Sequence, residues 1–176
     1  MKNKGIKLIV SVCALSACTF ANTICQKASG GLVCHSGEVS VINTSGVFRA
    51  DGTQIKKKLS VKGQAIIKNA QINDMKITGG IAMATSSVLG QANINGFLSV
   101  RDSKFNKVIT VFGNFIQAEA TKFEDMIINS SEQTARVNLQ DKSIVNGNVI
   151  FKGKPGIVAL ASGAKVLGKI INGKQV

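Results

Sequence analysis

Three side chains near the N-terminus, those of Cys25, Cys34 and His35, are the ones best suited to covalent or metal chemistry. Two thiols and one imidazole are one ligand short of the usual four-coordinate zinc shell, which makes a metal site the weaker interpretation. In an oxidising compartment the two thiols are expected to pair and to close a short loop around Gly30 and Gly31. We predict a Cys25–Cys34 disulfide and no metal site.

The rest of the chain offers few groups for catalysis. His35 is the only histidine, so a nucleophile–histidine–carboxylate triad has no base elsewhere in the chain. Polysaccharide-cleaving enzymes need clustered carboxylates, and Glu124 and Asp125 are the only adjacent pair among the 9 acidic residues. Neighbours in a strand face opposite sides, so this pair fits a solvated turn. The sequence predicts no enzyme, no catalytic residue and no cofactor; a polysaccharide hydrolase or lyase is the least favoured alternative.

Positive charge is the other chemical feature of the chain. It has 22 lysine and arginine residues against 9 acidic ones, an excess that attracts anionic partners. The densest group is Lys56, Lys57 and Lys58, with Lys62 nearby, and we predict these four as candidate anion-binding residues. Their partner would be an anionic envelope polymer or lipid, and we expect no specific nucleic acid. Outward lysines also keep β-rich proteins soluble and protect strand edges, and this purely structural role is the alternative.

The positions of these side chains depend on a repeat in the sequence. Glycine or another small residue returns about every 17 residues over most of the chain. The positions are Gly46, Gly63, Gly80, Gly96, Gly113, Ser130, Gly147 and Gly163. A large apolar residue follows midway through each unit, at Ile55, Ile72, Leu89, Phe105, Phe123, Leu139 and Ile157. Apolar residues two apart, such as Met75 and Ile77, lie on one face of a strand, which predicts short strands separated by turns.

The repeat predicts an all-β fold, and we interpret it as a single-domain parallel β-solenoid with coils of about 17 residues. Small and apolar residues keep their places in successive units, so stacked coils would bring like against like. An antiparallel β-sandwich or meander is the alternative, because Asn-Gly pairs such as Asn95-Gly96 and Asn146-Gly147 favour hairpins.

Aromatic composition bears on the core and on sugar binding. The chain has 8 phenylalanines and no tryptophan or tyrosine, so an aromatic sugar-binding platform is not expected. We predict instead that the phenylalanines of the middle repeats stack in the core. They are Phe97, Phe105, Phe112, Phe115 and Phe123.

The N-terminus has the pattern of a bacterial secretory signal. Lys2, Lys4 and Lys7 precede the apolar run 8–15, which small residues follow. This run is shorter than the roughly 20 residues that span a bilayer, so a retained transmembrane helix is not expected. We predict an exported protein of the periplasm, the outer membrane or the extracellular space.

Two cleavage sites compete in this segment. The sequence Leu-Ser-Ala-Cys at 15–18 resembles the lipobox of bacterial lipoproteins, so cleavage after Ala17 would leave Cys18 as a lipidated first residue and as the only membrane anchor. Cleavage after Ala21 would instead release a soluble chain that begins at Asn22. Both outcomes remain open.

Three segments follow from these patterns. We predict a signal peptide at 1–21, an N-terminal cap segment at 22–45 that contains Cys25 and Cys34, and a β-repeat solenoid at 46–176. The disulfide would hold the cap over the first coil, because an uncovered solenoid end is an open sheet edge.

Two glycine-punctuated strand segments resemble those of bactofilins, the polymer-forming β-helix proteins of bacteria. They are Leu59-Ser60-Val61-Lys62-Gly63 and the run from Val166 to Gly173, VLGKIING. The resemblance covers roughly residues 46–176. It implies a small β-helix that assembles end to end into filaments without nucleotide, and it implies no catalytic residues. Bactofilins are typically cytosolic, so the export signal is a departure from the family.

Together these observations predict an exported, non-enzymatic β-solenoid that serves as a structural or adhesive element of the bacterial cell envelope. The resemblance implies that the chain associates with copies of itself into a homo-oligomer or filament. The alternative is a monomeric binding module that holds an anionic polymer or lipid on its basic surface.

Overall fold

A computed structural model describes residues 24–130, 133–161 and 163–176. Within these ranges the regular structure is entirely β. The strands are β1 (Cys25–Ala28), β2 (Gly31–Cys34), β3 (Gly37–Asp51), β4 (Thr53–Lys68), β5 (Gln71–Ala84), β6 (Ser87–Val88), β7 (Ala92–Arg101), β8 (Lys104–Phe105), β9 (Ile109–Phe112), β10 (Phe115–Glu119), β11 (Lys122–Phe123), β12 (Met126–Ser130), β13 (Arg136–Gln140), β14 (Ile144–Val145), β15 (Val149–Gly153), β16 (Gly156–Leu160), β17 (Lys165–Val166), β18 (Ile170–Ile171) and β19 (Gly173–Gln175). None of the described residues forms a helix of the length and apolarity that a bilayer-spanning segment requires.

Parallel pairing between successive coils winds the chain into a β-solenoid of about 8 turns with coils of about 17 residues. The predicted parallel solenoid is therefore confirmed, and the antiparallel alternative is wrong. Among the described strands the one antiparallel pair is β1 with β2.

The strand pairs form three columns, which we call faces A, B and C. Face A contains β2, β10, β13, β16 and β19 with the last parts of β3, β4, β5 and β7. Face B contains β6, β8, β11, β14 and β17 with the first parts of β3, β4 and β5. Face C contains β9, β12, β15 and β18 with the middle of β3, β4 and β5 and the start of β7. Each coil runs through the three faces in the order B, C, A.

Inward side chains stack on their counterparts in neighbouring coils and form one apolar core. On face B the inward column runs through Ile55, Ile72, Val88, Phe105, Phe123 and Val145. The rings of Phe105 and Phe123 stack with centroids 5.0 Å apart and an interplanar angle of 12°. The prediction that these two phenylalanines stack in the core is therefore confirmed.

Three of the apolar residues predicted midway through the repeats do not lie in this column. Leu89 is exposed and Val88 takes its place in the column, while Leu139 is buried on face A rather than face B. Ile157 is also on face A, half-buried and beside the inward Val158. Because side chains alternate along a strand, a shift of one residue exchanges the inward and outward sides.

Three of the five predicted core phenylalanines face outward. Phe97, Phe112 and Phe115 are 44%, 48% and 42% exposed. In each case an aliphatic neighbour, Leu98, Val111 or Ile116, occupies the inward position instead. The prediction that they fill the core is wrong because their strands have the opposite alternation.

Glycines form the corner between faces C and A. Gly46, Gly63, Gly79 and Gly96 pair in register through successive coils. Gly96 has φ 140°, and a Cβ there would overlap the carbonyl oxygen of Gly79. The close stacking of backbone on backbone therefore requires glycine at this corner.

The predicted glycine column differs from the observed one. Gly79, not Gly80, stands at the corner. In the coil after Ser130, the residue that pairs with Ser130 is Gly153 and not the predicted Gly147. Gly147 lies at the corner between faces B and C, where Gly168 donates its N–H to the Gly147 carbonyl. The reason is a change in coil length: equivalent residues are 16 apart at Ala70 and Ser86 but 22 apart at Thr121 and Ser143.

The predicted glycine at position 163 belongs to the third corner, between faces A and B. Here the column of corner residues has φ near 48°: Asn69, Thr85, Asp102, Ala120 and Asp141. Each of the first four donates its backbone N–H to a carbonyl of the following coil. The corner residues are therefore held in place in spite of a backbone conformation that side chains disfavour.

The N-terminal hairpin covers face A of the first coil. β1 pairs antiparallel with β2, and a disulfide joins Cys25 to Cys34 with Cα atoms 4.0 Å apart. The predicted disulfide is present. Parallel pairing already begins between Gly31 and Val47, so the stacked strands include part of the segment predicted as a cap at 22–45. The predicted signal peptide at 1–21 lies outside the described residues.

Candidate anion-binding groove

A shallow groove runs along the corner between faces A and B, parallel to the axis of the solenoid. One wall is a column of outward side chains on face B, in register from coil to coil: Gln54, Gln71, Ser87, Lys104 and Lys122. We call this set the groove column. At about 4.8 Å per coil it spans roughly 19 Å. The groove therefore suits an extended ligand better than a compact one.

A ladder of buried hydroxyls supports the floor of the groove. Ser86, Ser103, Thr121 and Ser143 follow the corner residues and are buried. Each hydroxyl accepts the backbone N–H of the equivalent residue in the preceding coil, at 3.0 to 3.4 Å. Each also donates to a carbonyl of its own coil. The hydroxyls complete the hydrogen bonding that the bent backbone leaves unmet, which makes the groove floor rigid.

The alternation around two buried phenylalanines places the lysines of the groove column. Lys104 precedes Phe105 and Lys122 precedes Phe123 in the two-residue strands β8 and β11. Because both rings stack inward, both lysines must face outward in register. The repeated Lys-Phe dipeptide is the sequence signal for this lysine pair.

The groove lysines have no charged partner among the described residues. Lys104 and Lys122 are exposed and adjacent, and their neighbours along the column are Ser87 and Ile144. The ion pairs within the described part of the chain are Lys56–Glu38 and Arg101–Glu119. Like charges directly opposite each other on a sheet destabilise it. An anion bound between the two ammonium groups would remove that repulsion.

The other half of the groove column is uncharged and polar. The side chains of Gln54, Gln71 and Ser87 form no hydrogen bond with any described residue. Their amides and hydroxyl are thus available to a ligand as donors and acceptors. The exposed corner residue Asp102 contributes the one acidic side chain that lines the groove.

The four lysines predicted from sequence lie elsewhere. Lys56, Lys57 and Lys58 are exposed where the chain passes from face B to face C, at an irregularity in the pairing of β4. Lys62 is on face C, near the glycine corner. Lys56 pairs with Glu38 at 3.1 Å, and Lys58 lies in register with Asp74. Carboxylates thus offset part of this charge, including one in an ion pair with Lys56, whereas the groove lysines form no ion pair with a described residue and share their groove with the single carboxylate of Asp102.

His35, Glu124 and Asp125 take part in hydrogen bonds that hold the backbone and the corners together. His35 is exposed beside the disulfide and donates its backbone N–H to the Ile24 carbonyl. Glu124 accepts a hydrogen bond from the Asn146 amide at 3.0 Å, and Asp125 accepts the Asn148 N–H at 2.7 Å. The two carboxylates thereby join neighbouring coils at a corner. No group of three or more metal-ligating side chains occurs among the described residues.

Comparison with protein-family models, with curated proteins and with solved structures finds no match. A function for this chain must therefore be argued from the geometry and the charge of the groove.

Proposed function

We propose that the protein is an exported, non-enzymatic β-solenoid of the bacterial cell envelope that adheres to anionic polymers along its groove column. The main support is the pair Lys104 and Lys122, stacked in register without a carboxylate partner among the described residues. A rigid groove that crosses five coils can hold several units of a linear chain at once. Adhesion of this kind needs no catalytic residue.

The proposal of export depends on the N-terminal pattern and on the disulfide. Structural disulfides form in oxidising compartments such as the periplasm, and Cys25 is bonded to Cys34. Lipidation at Cys18 and release after Ala21 are the two forms of this proposal, and both residues lie outside the described part of the chain. Mass spectrometry of the mature protein separates them, because a lipidated Cys18 adds the mass of its acyl chains.

Binding to soluble polyanions at several salt concentrations tests the adhesive function. We expect polygalacturonate and inorganic polyphosphate to bind at low salt and to dissociate as salt rises, because the bound lysines displace counterions. Replacing both groove lysines, Lys104→Ser with Lys122→Ser, should weaken binding. It should also reduce the slope of log K against log salt by about one to two.

A second double variant controls for net charge. Lys57→Ser with Lys58→Ser removes the same charge from exposed positions outside the groove. We expect it to weaken binding much less than the groove variant does. The opposite order would favour the lysine cluster predicted from sequence, and the absence of salt-sensitive binding by the unmodified protein would contradict the adhesive function.

End-to-end assembly is a second candidate, supported by the last described coil. Its strands β17, β18 and β19 each pair on one side only with described residues. Leu167, Ile171 and Val176 are exposed there, and an unpaired edge of this kind invites another chain. Lys165 and Lys169 oppose such pairing by charge repulsion.

Sedimentation with negative-stain electron microscopy tests assembly. Filaments or long stacks at moderate salt would support end-to-end growth, which is also what the resemblance to bactofilins implies. Uniform monomers at high protein concentration would contradict it without affecting the adhesive proposal.

A further inference from the structure

We infer that the ligand of the groove is an acidic polysaccharide, laid along the solenoid axis with its hydroxyls on Gln54, Gln71 and Ser87 and its carboxylates on Lys104 and Lys122. This inference rests on the proposed adhesive function and specifies the chemistry of the polymer. It depends on four properties of the groove: its mixed polar and cationic wall, the absence of aromatic and of large exposed apolar side chains from its described lining, and the spacing of its side chains along the axis.

The mixed composition of the groove column fits a polymer that presents both hydroxyls and negative charge. Gln54 and Gln71 each offer amide donors and an acceptor without a partner among the described residues. Two and three coils beyond Gln71, Lys104 and Lys122 offer cationic donors for carboxylates. Carboxylate oxygens accept from the amide N–H groups, but only a hydroxyl can also donate to the amide carbonyls, so a polyanion without hydroxyls would leave those acceptors unused.

The position of the exposed aromatic residues argues against nucleic acid. Proteins that bind single strands combine a cationic groove with aromatic rings on which the bases stack. Phe97 and Phe115 are exposed on face A and Phe112 on face C. No aromatic side chain lines the groove in the part of the chain that the structure describes.

The rim of the groove argues against a lipid surface. Binding to a membrane surface strengthens with the apolar area that enters the boundary between headgroups and acyl chains, in addition to attraction between basic side chains and anionic lipids. Within the described ranges, none of the large exposed apolar side chains lines the groove. Its polar column and corner would remain outside the apolar region, so an anionic headgroup alone would have to supply the affinity.

The spacing of the groove column matches a linear glycan. Successive side chains are about 4.8 Å apart along the axis, close to the length of one sugar unit in an extended chain. One sugar can therefore face each coil without change of register. A ligand in this position contacts all five members of the column.

The test compares two polycarboxylates that differ in hydroxyl content. Polygalacturonate carries both hydroxyls and carboxylates, and polyacrylate carries carboxylates alone. We expect polygalacturonate to bind more tightly per carboxylate. Replacing both glutamines, Gln54→Ala with Gln71→Ala, should weaken polygalacturonate binding about tenfold, from the loss of two or more hydrogen bonds. It should weaken polyacrylate binding clearly less, because polyacrylate has no hydroxyl to donate to the amide carbonyls. Gln64→Ala, an exposed glutamine on face A, should change neither.

The outcomes separate this inference from the proposed function. Equal binding of the two polycarboxylates, together with no effect of the glutamine variant, would overturn the polysaccharide inference and leave a general polyanion groove. Tighter binding of single-stranded DNA, or of vesicles rich in anionic lipid, would also overturn it. If no polyanion binds in a salt-sensitive way, the proposed function itself fails.

Discussion

At the scale of single residues, four buried hydroxyls accept backbone N–H groups that in an ordinary sheet would be bonded to carbonyls of the next strand. Ser86, Ser103, Thr121 and Ser143 each join two coils at the corner between faces A and B. A buried N–H that loses its acceptor is more costly than the bond itself is favourable. These small polar residues therefore add to the stability that the apolar core gives the solenoid.

Replacing one of these hydroxyls should destabilise the protein. We expect Ser103→Ala to lower the free energy of unfolding by about 1–3 kcal/mol, because the Ser86 N–H loses its acceptor. The matched control Ser87→Ala removes a hydroxyl that has no partner among the described residues and should change the free energy by less than about 0.5 kcal/mol. Urea denaturation measures both. Equal effects would show that the hydroxyl ladder contributes nothing to stability.

The acidic residue in the groove should weaken anion binding. Asp102→Asn removes its charge and keeps a side chain that tolerates φ 47°. We expect affinity for polygalacturonate to rise about two- to fivefold at low salt and the gain to vanish at high salt. Asp141→Asn is the control, since Asp141 has φ 48° at the same corner but does not line the groove. A larger gain for Asp141→Asn would place the ligand elsewhere.

Single residues also mark the limit of prediction from sequence. The disulfide and the stacked pair Phe105 and Phe123 could be predicted from compartment, spacing and bulk. Phe97 and its exposed counterparts could not, because apolarity alone does not say which side of a strand a residue takes. That choice depends on register, and an error of one residue inverts it.

At the scale of elements, the corners determine the fold more strictly than the strands do. The glycine corner stacks backbone on backbone from Gly46 to Gly96. The corner between faces A and B uses positive φ and hydroxyls, and that between faces B and C uses acidic and amide side chains such as Asp125 and Asn148. Each corner type recurs from coil to coil, which is what keeps the columns in register.

Adding a side chain at the glycine corner should separate two coils. Gly96→Ala places a Cβ against the Gly79 carbonyl and should lower the free energy of unfolding by about 3 kcal/mol or more. Gly30→Ala is the control, because Gly30 has φ 79° but open space around a Cβ, and should cost about 1–2 kcal/mol. The shift in urea midpoint measures the difference. Similar shifts would mean that backbone strain, not coil contact, requires glycine at this corner.

Most of the solenoid could be predicted from its period, and its later corners could not. Small residues at a steady spacing predicted stacked coils through Gly113. Beyond that point the coils lengthen, so the same count assigned Gly147 and Gly163 to the wrong corner. Extra residues at a corner leave the strand columns intact, but they move every later column position further along the sequence. Spacing alone does not show at which corner these residues are inserted.

At the scale of the whole molecule, stacking of the coils places one side chain from each repeat in a line parallel to the solenoid axis. The groove column brings together residues from Gln54 to Lys122, which are far apart in sequence. Counted along the chain, positive charge is densest in the contiguous cluster at Lys56. Stacking shows instead where charge accumulates along the axis, and whether a carboxylate is near enough to offset it.

Calorimetric titration with galacturonate oligomers of increasing length tests whether the groove column binds an extended acidic polysaccharide. We expect affinity to rise with length until the oligomer spans the groove column, at about five sugar units over roughly 19 Å. Beyond that length the affinity per site should change little, and Lys104→Ser with Lys122→Ser should reduce the rise to the part that Gln54, Gln71 and Ser87 supply. A dimer that binds as tightly as the longest oligomer, or no binding at any length in low salt, would contradict the claim.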